Sequence, residues 1–310
     1  MKMKQNLIIT TALNYPAERL EPFLRSANRH VPKADIVIFS NNEEKTYTQC
    51  ISRYNNRARI IVPKDNRFRN NLKKYKKMHN VIGTGKILSL FGHLPNPTGL
   101  QNFRLLKSSQ FHVALARYFW AKLFLDELDT KPDMVLLADS RDVFFQGDPF
   151  EDDQEFIVCG EESIVIGKCP INSHWIEYTY EEKVLEELEK KPVLCSGVTL
   201  GRFDDVIAYT RIMVSEMEKK THKLIGRNGL DQAIHNKILY VDKAIPYQKS
   251  RNGDELIATL GYSDLGEFLF GETRGLLTKE GRLVKIVHQY DRHETLAEWI
   301  RGAYEQHLVC

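Results

Sequence analysis

Nowhere in its 310 residues does the chain hold the run of about 18 apolar residues that a membrane-crossing helix needs. Its basic start, residues 1–6, leads only into Leu7-Ile8-Ile9, too short for the apolar centre of a secretory signal. Cysteine is sparse. Cys50, Cys159, Cys169, Cys195 and Cys310 are odd in number and widely spaced, with no C-x-x-C pair. That excludes a disulfide framework and a cysteine zinc site and reads as reduced thiols. Charge of one sign is missing too. The 44 Lys and Arg stand against 41 Asp and Glu, and a net +3 gives no argument for nucleic acid. These absences point to a soluble, cytoplasmic globular protein, long enough for one large core.

What is present alternates. Residues 7–13 read as a strand, and Pro16 opens a helix to about Arg29. Ile36-Val37-Ile38-Phe39 is a buried strand, a polar helix runs to about Tyr54, and Arg59-Ile60-Ile61-Val62 is a third strand stopped by Pro63. This order predicts a parallel sheet with right-handed crossovers. A basic segment follows at 64–77, with Arg67, Arg69, Lys73, Lys74, Lys76 and Lys77. It reads first as a solvated helix face. The other readings are contact with phosphate groups, an acidic glycan or a membrane surface, the last making the protein peripheral to a membrane. Beyond the Gly/Pro-rich stretch 83–99, residues 103–128 show an apolar face at helical period, with Arg117 beside it. Later elements are a strand at 156–159, a helix at 173–190 and a strand at 193–200 interrupted by a Ser-Gly bulge. Helices at 203–220 and 230–238, a strand at 284–287 ending in His288 and a helix at 295–307 complete the sequence.

The most informative stretch is Met134-Val135-Leu136-Leu137-Ala138-Asp139-Ser140-Arg141-Asp142-Val143-Phe144-Phe145. A buried strand that ends in carboxylates sets them at a sheet edge, where open α/β sheets bind ligands. Two close carboxylates repel unless a cation lies between them, and oxygen ligands suit Mg²⁺ or Mn²⁺. The plainer reading is a capped strand end before a turn.

Three later segments join it: Cys195-Ser196-Gly197-Val198, Gly229-Leu230-Asp231-Gln232-Ala233-Ile234-His235-Asn236 and Val287-His288-Gln289-Tyr290-Asp291. In order and spacing the four resemble the motifs of the GT-A nucleotide-sugar glycosyltransferases. The likeness is greatest to the retaining group that includes glycogenin and the bacterial lipopolysaccharide galactosyltransferases. That group has a base-binding loop after the first strand and a D-x-D near the middle of the sequence. N-S-G-V, D-Q-D-x-x-N and a late metal-binding histidine follow. Asn14-Tyr15 resembles the base-contacting loop, Asp142 the second D-x-D aspartate, Ser196-Gly197-Val198 the small-residue segment, Asp231-Gln232 and Asn236 the D-Q-D-x-x-N, and His288 the histidine. Ser140 stands where the first D-x-D aspartate falls, so Asp139 must reach in from one residue earlier. Ala233 replaces the third D-Q-D residue, and Gln289-Tyr290-Asp291-Arg292-His293 replaces the usual glycine-lysine-proline-tryptophan tail.

The resemblance implies a single GT-A-like (Rossmann-like) α/β domain over 1–310, with a mostly parallel central sheet flanked by helices. Residues 1–142 form the nucleotide-binding half and 143–310 the acceptor-binding and catalytic half. It implies a sugar transferred with retention from a nucleotide donor, UDP-sugar before GDP-sugar, to a glycan or lipid-linked glycan. Asp139, Asp142 and His288 would hold Mn²⁺ or Mg²⁺. Thr10, Thr11, Asn14, Tyr15, Arg117, Asp139, Ser140, Arg141, Ser196, Gly197 and Arg292 would contact the donor, with Lys285 a further phosphate candidate. Asp231 and Gln232 would be catalytic. Each also has a structural reading: a helix cap for Asp231, a satisfied strand-end histidine for His288, packing before Pro16 for Tyr15. A sugar-phosphate nucleotidyltransferase is the nearest rival, but Thr10-Thr11-Ala12-Leu13-Asn14 lacks the glycine-rich loop it would carry there. A non-enzymatic binder using segment 64–77 is the second rival and leaves the acidic and histidine motifs unexplained.

Overall fold

The structure, a computed structural model, describes residues 5–13, 15–40, 45–55, 57–63, 111–271 and 275–302. The basic segment 64–77, the Gly/Pro-rich stretch and Asn14 lie outside these residues.

The first half alternates as its periodicity predicts. Strand β1 is Asn6–Thr11, helix α1 Glu21–His30, β2 Asp35–Phe39, α2 Lys45–Tyr54 and β3 Ala58–Ile61. All three strands pair in parallel. Pro16 precedes a short 3₁₀ turn, Ala17–Arg19, instead of opening the helix itself. Helix α3, Val113–Asp126, then leads to β4, Met134–Ala138, which pairs in parallel with the other edge of β1. The strand order therefore reverses between β1 and β4, a topological switch point where a crevice opens beyond the strand ends. Both faces of these strands are covered. Ile8, Ile36, Ile38, Leu136 and Ala138 enter one core cluster, whereas Leu7, Ile9, Val37 and Val135 enter the other. The period-2 alternation of side chains splits each apolar run between two layers.

The second half adds β5 Val143–Phe145, β6 Ile157–Val165, α4 Pro170–Tyr180, α5 Glu182–Leu188, β7 Pro192–Arg202, α6 Phe203–Lys219 and α7 Thr221–Leu224. It continues with α8 Leu230–Tyr240, β8 Tyr247–Ser250, β9 Ile257–Thr259, β10 Leu269–Gly271, β11 Gly275–Leu277, β12 Ile286–His288 and α9 Glu294–Gly302. Strands of both halves enter one ten-stranded mixed sheet of order β3-β2-β1-β4-β7-β6-β9-β12-β5, with β8 on β6. Parallel pairings outnumber the antiparallel ones of β7 and β5.

This order forces the sheet to curl. β4 and β5 are five strand spacings apart along it, about 24 Å in a flat sheet at about 4.8 Å each. Yet only residues 139–142 join them, a reach of at most about 18 Å from Ala138 to Val143. The far end of the sheet must bend back toward β4. It does so through β6, whose register against β7 slips twice and which meets β9 at the single pair Glu162↔Thr259. β5 ends under α1, where Ser26 Oγ accepts from Phe145 N at 3.1 Å. The curl carries β12 and His288 to the acidic loop.

One helix expectation is corrected. The single helix expected over 173–190 is two helices, α4 and α5, broken at Glu181 with φ 78°. Neither glycine nor proline stands at the break, so the sequence gives no punctuation there. Among the described residues, no helix is long and apolar enough to cross a membrane. Cys50, Cys159, Cys169 and Cys195 are buried free thiols.

Candidate metal centre and crevice

Asp139 and Asp142 leave the C-terminal end of β4, and His288 ends β12. One ligand atom from each lies within 4.8 Å of the others. His288 Nε2 is 3.9 Å from Asp139 Oδ2 and 3.8 Å from Asp142 Oδ1. Around octahedral Mg²⁺, with ligands at about 2.1 Å, neighbouring ligand atoms are about 3 Å apart and opposite ones about 4 Å. The observed spacings are longer by up to about 1 Å, so the three side chains would have to close on a divalent cation bound between them.

The surroundings favour that reading over a plain strand end. Each carboxylate turns one oxygen into the cluster and has the other held by an arginine. Asp139 Oδ1 accepts from Arg117 Nη1, and Asp142 Oδ2 faces Arg141 Nη2 at 3.4 Å. The Nδ1 edge of His288 faces Cys195 Sγ at 3.7 Å, which leaves Nε2 for the cluster. Backbone bonds fix the same residues, since Gln289 N donates to Asp142 O and Asp139 N to Gly197 O, both at 2.8 Å. Burial lifts the Asp142 carboxyl above the ordinary carboxylate range; His288 opposes this and Asp139 adds to it. A buried carboxylate facing a second one is a site that a cation would relieve.

The Ser-Gly bulge in β7 is present and makes this approach feasible. β6 passes from partner Thr199 to partner Cys195 in one residue, leaving Ser196, Gly197 and Val198 as extra backbone. A Cβ on Gly197 would strike the His288 ring, with Nε2 at 2.7 Å, and would sit 2.9 Å from Asp139 Oδ2. Only glycine lets β7 pass directly behind the cluster.

The cluster opens on a crevice of about 630 Å³. Its lining brings together Thr11, Tyr15, Arg117, Asp139, Ser140, Arg141, Asp142, Ser196, Gly197, Asp231, Gln232, His288 and Arg292. Thr10 is not among them. It is buried and borders a small void of about 20 Å³ that Thr11, Arg117 and Ser196 also line. Lys285 also lies elsewhere, paired with Glu151 and Asp152 at 3.1 Å. Ser140 turns from the cluster toward β1, where its hydroxyl donates to Thr11 O at 2.8 Å and meets Tyr15 Oη at 2.5 Å. Asp139 takes the inward place, as the one-residue offset requires. Arg141 and Arg292 are exposed and share Asp291, at 3.6 and 3.1 Å.

Arg117 is the hub. Its side chain is only 16 % exposed and pairs with Asp139 and with Asp231, the latter at 2.9 Å, while Nη2 also donates to Ser196 O at 2.9 Å. Burial alone would lower the guanidinium, but Asp139, Tyr118 and Asp231 hold it well above its ordinary range. Asp231 does not cap α8. The cap is Gly229, in the left-handed region at φ 78°, and the buried Asp231 carboxylate accepts from Ser196 Oγ at 2.9 Å. Gln232 is a strut. Its amide donates to Asn172 Oδ1 at 2.9 Å and Glu162 Oε1 at 3.3 Å, and accepts from Ser196 N at 3.4 Å. Asn236 clamps β7, pairing with both Leu194 N and Leu194 O at 2.9 Å.

Sequence reasoning missed Arg19, His112, Trp175, Asn228 and Gln289 in the crevice lining. It also missed Glu162, a buried carboxylate in β6 behind Gln232. Glu162 carried a faint signal, as one of two carboxylates between the apolar stretches 157–159 and 164–166. Burial pushes its carboxyl up to about 7, with Cys195 and Gln232 pulling the other way. Its folded value exceeds its unfolded one, so the native state holds a proton that the unfolded state releases between about 4.5 and 7. The contribution of Glu162 to stability therefore falls across that window as pH rises. Glu162→Gln keeps the shape and removes this dependence. From about 4.5 to about 7, at about 1.4 kcal/mol per pH unit, the gain at pH 8 is on the order of 3 kcal/mol, and near zero at pH 4.5. Urea unfolding of parent and variant at both pH values checks this. A constant difference between them would remove Glu162 as the cause.

No family model and no curated protein matches this chain.

Proposed function

We propose that the protein is a metal-dependent glycosyltransferase of the GT-A type, moving a sugar from a nucleotide donor to a hydroxyl acceptor with retention. One observation carries the reading. Asp139 and Asp142, in one short loop, meet the sequence-remote His288 at the switch point of a parallel sheet, in one crevice with the loop after β1. A divalent cation bound there would supply Lewis-acid stabilisation of a departing diphosphate. Arg117, Arg141 and Arg292 add positive charge along the same lining. The Tyr15 ring lines the β1 side, its hydroxyl held by Thr11 O and Ser140, which suits a nucleobase contact there. UDP-sugars come before GDP-sugars as candidate donors.

Retention rests on Asp231. Its carboxylate is engaged by Arg117 and Ser196, so it positions its neighbours and is not a free base. In a retaining transfer the acceptor hydroxyl arrives on the leaving-group side, and no separate base is required.

The test incubates the protein with UDP- and GDP-sugars and follows release of nucleoside diphosphate with and without Mn²⁺. Metal-dependent release is expected for one donor, and NMR should find the first-formed sugar product with the donor's anomeric configuration. An inverted product would overturn retention alone. Release of pyrophosphate from a sugar 1-phosphate and a nucleoside triphosphate, with no action on any nucleotide sugar, would replace the reading by a nucleotidyltransferase.

A further inference from the structure

Trp175 has no place in the chemistry above. It sits on α4, where Ile171 one turn earlier is 50 % exposed. Its indole is half-buried, packed against two separate apolar clusters while still lining the crevice. Its seat is Gly229, the left-handed cap of α8. A Cβ there would overlap the indole, with Cε2 at 2.5 Å and Cη2 at 2.6 Å. The ring lies on bare backbone two residues before Asp231, and no larger residue at 229 would leave it there.

The helix that carries it is tied down behind the crevice. Asn172, in the first turn of α4, accepts from Gln232 at 2.9 Å and donates to Cys169 Sγ at 3.2 Å, and Cys169 donates to the Tyr262 hydroxyl at 3.2 Å. Tyr262 is 43 % exposed. Exposed Asn228 and Arg292 belong to the crevice lining. An aromatic ring lining a crevice that also holds Asn228, Gln289 and Arg292 matches a pyranose ring, which carries C–H groups on its faces and hydroxyls at its edge. The nucleobase has its own aromatic, Tyr15, from the first half of the sequence.

We propose that Trp175, seated on Gly229, is the stacking platform for the acceptor, and that the acceptor presents a pyranose ring. This inference rests on the glycosyltransferase reading and adds the residue that would receive the acceptor's ring.

The experiment uses full-length protein labelled with 5-fluorotryptophan. The sequence has three tryptophans, so three fluorine resonances arise, and Trp175→Phe identifies that of residue 175. UDP with Mn²⁺, or GDP with Mn²⁺ in a parallel sample, is added first, then methyl β-galactopyranoside, methyl β-glucopyranoside, methyl N-acetyl-β-glucosaminide and lactose in turn. One of the two nucleotides should bind by calorimetry and leave the Trp175 resonance in place, and at least one pyranoside should then shift it. Trp175→Ala should weaken that pyranoside about tenfold, within the range of stacking losses, and Trp175→Phe by much less.

Nucleotide binding with no pyranoside shifting the Trp175 resonance would overturn the platform and leave the donor reading intact. A shift produced by the nucleotide itself would make Trp175 the base contact and overturn the proposal. A pyranoside shift without nucleotide binding would keep the sugar platform and remove the transferase reading. Silence in both arms would sink both.

Discussion

Asp142→Asn is expected to abolish Mn²⁺ binding while leaving the fold intact. The loss should exceed the 10–100-fold typical of removing a group that merely orients a ligand, so on the order of 100-fold or more. The reason lies in the site. Asp142 is 5 % exposed, faces the His288 Nε2 at 3.8 Å and, among the described residues, shares its cluster with one other carboxylate. Removing its charge also removes a buried like-charge contact with Asp139. Without metal the variant should therefore melt no lower than the parent. With Mn²⁺ the parent should gain stability by mass action and the variant should not. Calorimetric Mn²⁺ titration with paired melting curves tests this. Equal Mn²⁺ affinity in both proteins would dismantle the metal centre, and a lower melting temperature without metal would make Asp142 a structural residue.

Arg117→Met should have the largest effect on stability. The guanidinium is the positive partner of buried Asp231 and of Asp139, and it satisfies Ser196 O. Breaking a buried pair from one side leaves an uncompensated charge and costs about 3–5 kcal/mol. Asp139, 35 % exposed in its side chain, can recover solvation; Asp231, 5 % exposed, cannot. Adding Asp231→Asn to Arg117→Met should therefore restore at least half of the loss, a positive coupling between residues 114 positions apart in sequence. A single variant within about 1 kcal/mol of the parent, or additive losses, would show that Arg117 does not hold this region together.

Both experiments probe an arrangement that one strand exposes and another hides. Ala138-Asp139-Ser140-Arg141-Asp142 is readable because an apolar run that stops at carboxylates has few local explanations. The bulge at Ser196-Gly197 is readable for the same kind of reason, since glycine inside an apolar strand needs a close approach. The Thr10 assignment shows the limit of such reading. Thr11 borders both the crevice and the small void, whereas its buried neighbour Thr10 borders the void and is not in the crevice lining. Lys285 shows another limit. Three residues before His288, it pairs with Glu151 and Asp152 outside the crevice. Nothing in its own segment reveals that partnership.

The sequence by itself determined the alternation of strands and helices in the first half, the parallel pairing that follows from it, and the candidate metal ligands. These are local matters of period, punctuation and residue chemistry. Tertiary structure alone decided the curl that brings β12 to β4, the bridging of two carboxylates by Arg117, the burial of Glu162 and the seating of Trp175 on Gly229. Each depends on which strands become neighbours. β12, next to last in a ten-stranded sheet, meets the acidic loop only because four residues between β4 and β5 are too few to span a flat one.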